Sequence, residues 1–295
     1  MSIVVVSGAN GFIGQKLCLD LAQAGHTVRA LSRQKITNSN HENIEWSKVS
    51  YGDRAQMCSV FKGSDCLVHL ADDPNRLSKE EPAANPTELI SLAMAEAGLK
   101  RIVFSSSIYA RLNSENNPSP YGQHKLGSET ALLAYQHISP VILRLPPVYG
   151  PGGKGGLALL TKLIQKGIPL PLGMAKEKRD YISRANLANL ITHLVELNDK
   201  QWEIISGLIF EPSDGHPISG VDLCKALANA VDKKAIMLPV PYGLLSFAAK
   251  IIRKDALVSS VFNEMKVKSA PNLKALSNWE PIEKIPHSLN YLSLR

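Results

Sequence analysis

Ile3-Val4-Val5-Val6-Ser7 runs directly into Gly8-Ala9-Asn10-Gly11-Phe12-Ile13-Gly14. The first stretch is short, apolar and β-branched, as a strand covered on both faces requires. The second has G-x-x-G-x-x-G spacing and opens a helical pattern over Phe12–Ala24. Strand, glycine turn and helix in that order make an anion site. The N–H groups of a helix's first turn lack intrahelical partners and sit at the positive end of the dipole. Gly8 and Gly11 permit a tight turn and a close approach of backbone to a pyrophosphate, and Gly14 lets the helix pack close to the strand. Asn10, Phe12 and Ile13 lie between them and are expected in the same cradle. The whole unit is expected to bind a dinucleotide, NAD or NADP.

The pattern repeats outward from this start. Strands are expected at Ile3–Ser7, Thr27–Ser32, Cys66–Leu70, Arg101–Ser105 and Val141–Leu145. Helices are expected at Phe12–Ala24, Arg54–Phe61, Pro86–Ala97 and Tyr121–Gln136. Strands alternating with helices predict a Rossmann-type α/β fold, a doubly wound parallel sheet. After Leu145 the rhythm breaks at Pro146-Pro147 and Gly150-Pro151-Gly152-Gly153. Further helices are expected at Leu157–Lys166, Asn186–Leu197, Val221–Val231 and Tyr242–Arg253. Residues 1–149 therefore read as a dinucleotide-binding domain, with 179–209 returning to it. Residues 150–295 read as a smaller, interleaved domain that mainly binds substrate.

Cofactor choice turns on the end of the second strand. A carboxylate there would favour the free ribose hydroxyls of NAD. The chain has Ser32-Arg33 instead. A hydroxyl and a guanidinium suit a 2′-phosphate, so NADP is slightly favoured; Arg33 as a plain surface charge is the other reading.

Tyr121-Gly122-Gln123-His124-Lys125 has Y-x-x-x-K spacing at the start of a helix. Residues four apart share a helix face. A nearby ammonium favours tyrosinate, so the pair can exchange a proton with a substrate hydroxyl while nicotinamide exchanges hydride. Upstream, Ile102–Ser107 reads as a buried strand ending in hydroxyls that reach the same substrate oxygen or cap the loop. Asn85 reads as a helix cap or as a holder of the lysine.

Composition narrows the alternatives. The chain has 295 residues, 44 % apolar and 20 % charged, which is ordinary for a globular protein. No apolar run reaches the length of a membrane span and the N-terminus reads as a strand, so neither a membrane partner nor a signal peptide is expected. Cys18, Cys58, Cys66 and Cys224 form no C-x-x-C pair and are expected as reduced thiols in a cytoplasmic protein. No H-x-x-x-H pair occurs among eight histidines, and no metal is expected. The formal charge is +7, which suits an anionic substrate as well as plain solubility. The basic residues are dispersed, so no nucleic-acid partner is expected.

Taken in order, these residues resemble the NAD-dependent epimerase/dehydratase family, the extended short-chain dehydrogenase/reductases. The resemblance runs nearly end to end: the glycine loop, Gly52-Asp53-Arg54, His69-Leu70-Ala71, Asn85-Pro86-Thr87, Phe104–Ser107, Tyr121–Lys125, Arg144–Gly152 and Arg179-Asp180-Tyr181-Ile182. It implies Tyr121 as catalytic acid/base and Lys125 holding both the tyrosine and the nicotinamide ribose. Counting forward along the strand implies Ser107 as the hydroxyl partner; counting back from Tyr109 implies Ser105 or Ser106. It also implies Asp53 and Arg54 beside the adenine, Leu70, Ala71 and Pro146 along the cofactor, and Arg179 on a substrate diphosphate. Arg144–Leu194 is most similar to nucleotide-sugar 4-epimerases and 4-keto-reductases. The family resemblance implies a nucleotide-sugar substrate and a homodimer, for which Leu126, Leu132, Leu133 and Tyr135 offer an apolar stripe; core packing is the other reading of that stripe. Ala110, Asp72-Asp73 and Pro147 depart from the family pattern.

Overall fold

The computed structural model describes residues 1–34, 36, 41–71, 86–114, 119–251, 265–268 and 270–293. In chain order its elements are β1 (Ile3–Ser7), α1 (Phe12–Gln23), β2 (Thr27–Ser32), β3 (Ile44–Lys48), α2 (Arg54–Phe61), β4 (Cys66–His69), α3 (Pro86–Ala97), β5 (Arg101–Ser107), α4 (Ile108–Ser114), α5 (Pro120–Ala134) and β6 (Ser139–Leu145). There follow β7 (Val148–Tyr149), α6 (Gly156–Gln165), β8 (Lys178–Arg179), β9 (Ile182–Ser183), α7 (Arg184–Glu196), α8 (Asp199–Ile205), β10 (Ile209–Phe210), β11 (Ile218–Ser219), α9 (Gly220–Ala230), α10 (Tyr242–Ile251) and α11 (Ala270–Ser277). Asn85 and Asp72-Asp73 lie outside the described residues.

Two compact units are present. The first comprises 1–145, 187–212 and 269–280; the second comprises 146–186, 213–268 and 281–295. The first holds a seven-stranded sheet in the order β10-β6-β5-β4-β1-β2-β3, parallel throughout. This is the doubly wound Rossmann-type α/β fold expected from the alternation of elements. β1 and β4 are neighbours although two strands separate them in sequence, so the winding reverses between them. Such a switch point opens a crevice at the carboxyl ends of the strands. Val4, Val5, Val6, Leu67, Val68, Ile102 and Val103 are fully buried, which explains why these strands are apolar on both faces. Of the apolar stripe on α5, Leu132 lies in this core.

Two differences from the expected elements bear on the site. β5 continues past Ser105 to Ser107 because β6 pairs with it up to Leu145. β3 was not anticipated: it is an edge strand paired only to β2, and of its residues only Ile44 is buried. The second unit has its own core of Tyr149, Ile164, Leu170, Leu223, Leu227 and Leu289, with short two-stranded pairings β7–β9 and β8–β11. Among the described residues, no helix is long and apolar enough to cross a membrane.

Candidate active site

In the first unit, the glycine loop, Ser32-Arg33, Leu70-Ala71 and Ser106-Ser107 follow or end adjacent parallel strands, so all lie along one sheet edge. Gly8 has φ +69, and a Cβ there would stand 2.9 Å from the Ala71 nitrogen. Gly11 donates its N–H to the Gly8 carbonyl at 2.9 Å and closes the turn. A Cβ at Gly14 would meet that carbonyl oxygen at 2.3 Å. Gly14→Ala must therefore push α1 off β1. We expect a lower Tm and loss of dinucleotide binding, read by thermal denaturation and NAD(P)H fluorescence titration. Gly11 caps α1 in extended conformation, and no side chain bonds to the first turn from that position. With Asn10 and Gly11 exposed and no acidic residue in that turn, the cradle fits a pyrophosphate. Asn10 itself accepts from Gln15 Nε2 at 3.1 Å.

The flanking positions are more particular. The Ser32 hydroxyl is buried and accepts from the Gln34 N–H at 3.1 Å, whereas Arg33 is exposed. Asp53 caps α2, accepting from the Gln56 N–H at 3.0 Å. Arg54 pairs with Glu96 at 3.1 Å, both about half exposed. Asp53 and Arg54 thus have structural duties beside any contact with adenine. The Leu70 and Ala71 N–H groups both donate to Ser7 Oγ, at 3.2 and 3.3 Å.

α5 carries the tyrosine and lysine. Ser119 caps it by accepting from the Gly122 N–H at 3.0 Å, and Pro120 sets its first turn. Tyr121 is half-buried, with its ring edge-on to Tyr109 at 6.3 Å. Lys125 is only 4 % exposed. Its ammonium donates to the Ser105 carbonyl at 2.7 Å and sits 5.0 Å over the Phe104 ring. A buried ammonium needs such partners, and they fix its position. His124, between Tyr121 and Lys125 on α5, is half-buried.

The serines separate clearly. Ser106 donates its hydroxyl to Glu129, which Arg144 holds from the other side with contacts of 2.6, 3.0 and 3.2 Å. Ser107 Oγ accepts from the Tyr109 N–H at 3.3 Å, which leaves its own proton to donate elsewhere. Sequence reasoning missed Glu129, although it lies on the same face of α5 as Tyr121 and Lys125, eight and four residues on.

The second unit places Arg179 in β8, 2 % exposed, with Nη2 3.4 Å from Met265 Sδ. Pro146 is buried at this unit's start. In the same unit, Asp214 anchors a buried network missed in the sequence. It accepts from the Tyr149 hydroxyl at 2.6 Å, the Ser183 N–H at 2.9 Å and Asn186 Nδ2 at 2.6 Å. Burial raises the Asp214 pKa above its ordinary 3.8, although those donors pull it down. The folded state therefore holds this proton more tightly than the unfolded chain does. Its stabilising contribution is complete at pH below 3.8 and is lost as pH rises through the raised value. Asp214→Asn removes that term, so the variant's Tm should fall less than the wild type's between about pH 4 and 8. Parallel curves would contradict this.

Comparison with known proteins agrees with the fold and the family resemblance. The model of the NAD dependent epimerase/dehydratase family matches residues 4–205. A UDP-glucose 4-epimerase of Vibrio cholerae is 28 % identical over 94 % of this chain and 90 % of its own length. Two solved structures share the fold. UDP-N-acetylglucosamine 4-epimerase from Bacillus cereus has a TM-score of 0.76 at 17 % identity, covering 100 % of this chain and 99 % of its own. The Bordetella bronchiseptica enzyme WbmF in complex with NADH has a TM-score of 0.77 at 21 % identity, covering 99 % and 90 %. The glycine cradle at a switch point and the family match across the sheet lead to one conclusion: this chain is an enzyme of the NAD dependent epimerase/dehydratase family.

Proposed function

We propose that the protein is an NAD(P)-dependent nucleotide-sugar epimerase acting at sugar C4, with Tyr121 as acid/base. The observation that carries this reading is the placement of Lys125: its ammonium is pinned to the Ser105 carbonyl one turn beyond Tyr121, on the strand end that bears Ser107. The bound nicotinamide supplies the acceptor and donor of hydride. Tyr121 takes the proton of the C4 hydroxyl as that carbon becomes a carbonyl, and returns it when the carbonyl is reduced from the opposite face. Lys125 stabilises charge on the phenol oxygen and donates to the nicotinamide ribose. Ser107 donates to the reacting sugar oxygen; Ser106, committed to Glu129, positions α5 instead. The Gly8–Gly14 loop binds the pyrophosphate, with Leu70, Ala71 and Pro146 along the dinucleotide and Asp53 and Arg54 toward the adenine. Arg179 binds the diphosphate of the sugar nucleotide. The first unit is the dinucleotide-binding domain and the second binds substrate. The name of the Vibrio cholerae relative supports a uridine-diphosphate hexose as substrate.

A second reading, an NADPH-dependent 4-keto-sugar-nucleotide reductase, is favoured by Arg33 and by the missing carboxylate at the end of β2. It uses the same tyrosine, lysine and serine but exchanges its cofactor each cycle. Native mass spectrometry of the protein as purified separates the two. A retained NAD, with interconversion of C4 epimers by NMR, supports the epimerase. An empty site that takes up NADPH and reduces a 4-keto sugar supports the reductase.

A further inference from the structure

Tyr51 belongs to no motif in the sequence, yet its phenol oxygen accepts the Gly8 N–H at 3.1 Å. Gly8 begins the glycine loop in left-handed conformation, in a slot where even a methyl group would touch Ala71. The backing of that slot is continuous. The Ser7 hydroxyl lies 2.6 Å from His69 Nδ1. The Tyr51 ring meets His69 edge-on at 6.2 Å, and His69 stacks on Phe104 at 5.8 Å and 15°. Phe104 is the ring beneath the Lys125 ammonium. Tyr51, Ser7 and His69 thus connect the first glycine of the cofactor loop to the support of the lysine, entirely within the first unit.

We propose that Tyr51 is a positioning residue for the dinucleotide. Its phenol fixes the plane of the Ser7–Gly8 peptide, and so the direction in which the loop presents its backbone to the pyrophosphate; Ser7 and His69 back it. A glycine at positive φ has no side chain to restrict its peptide, so an outside acceptor is needed to hold one orientation. Burial raises the Tyr51 pKa, which keeps the phenol neutral and available as that acceptor. Tyr51 does not touch the reacting atoms, so its effect belongs in cofactor affinity.

This inference rests on the proposed use of NAD(P). The test is Tyr51→Phe, which removes one oxygen and keeps the ring against His69. NADH and NADPH titrations by fluorescence should show Kd rising about 3- to 10-fold, the loss of one neutral hydrogen bond. The ligand-free Tm should stay within about 3 °C, since an N–H at a wet loop finds water. The loss should appear in the dinucleotide concentration that gives half-maximal turnover of the cofactor-stripped protein rather than in kcat at saturation. His69→Phe, which keeps the stack and loses Nδ1, should raise Kd in the same direction. An unchanged Kd for Tyr51→Phe would overturn the proposal. So would a Kd that rises only together with a large fall in ligand-free Tm, or a variant that no longer folds, because the phenol would then be merely structural. A wild-type protein that binds neither dinucleotide would instead refute the cofactor reading itself.

Discussion

Replacing Tyr121 by phenylalanine should lower turnover by about 10²- to 10⁴-fold, the typical worth of a positioned proton-transfer group. The ring would keep its edge contact with Tyr109, and α5 would keep its Ser119 cap, so the fold and the affinity for dinucleotide should be unchanged. The loss should appear equally in kcat and kcat/KM, because in the proposed mechanism the phenol acts only in the proton transfers to and from the C4 oxygen. Lys125→Met should approach the same loss and should also weaken cofactor binding, since the ammonium is assigned to both partners. Its hydrogen bond to the Ser105 carbonyl ties that charge to the backbone of β5. Turnover of an active substrate by Tyr121→Phe at the wild-type rate would remove the phenol from the mechanism.

The largest effect on stability is expected at Glu129. Its side chain is 1 % exposed and is held by Ser106 and by three contacts from Arg144. Glu129→Ala takes the carboxylate away from the largely buried guanidinium of Arg144. Breaking a buried pair by removing one partner costs about 3–5 kcal/mol. At 2–4 °C per kcal/mol for a unit of this size, Tm should drop by roughly 6–20 °C. Glu129→Gln keeps the shape and one acceptor, so it should lose less. Glu129 lies one turn beyond Lys125, and the variant that still folds should also show weaker cofactor binding as α5 loosens on β5. Equal Tm values for wild type and Glu129→Ala would show that the pair adds nothing beyond its desolvation.

What could be read in the sequence was local. The glycine spacing is legible within seven residues: a Cβ at Gly14 would collide with the Gly8 carbonyl, whereas the crowding of Gly8 by Leu70 and Ala71 appears only in the fold. Tyr121 and Lys125 are one helical turn apart, so their common face follows from period alone. What could not be read depends on distant pairings. Ser106 and Ser107 are told apart only because β5 extends along β6 and brings Glu129 and Arg144 to one of them. Tyr51 reaches Gly8 across 43 residues, and β3, which leads up to it, is too short and too polar on one face to stand out. Asp214 gathers donors from two separate segments, Tyr149, 65 residues before it, and Ser183 with Asn186. Asp53 matched a ligand position in the family pattern, and the cap it forms on α2 emerged only from the structure.

The account depends on a phenol and an ammonium on one helix face meeting a nicotinamide whose pyrophosphate rests on the first glycine turn. A crystal structure of the protein with NADH and UDP examines this directly. The expected result is the pyrophosphate against Gly8–Gly14, the nicotinamide ribose on Lys125, and the Tyr121 hydroxyl turned toward the C4 edge of the ring. A dinucleotide bound away from the carboxyl ends of β1 and β4, or Tyr121 and Lys125 turned away from its nicotinamide, would contradict it.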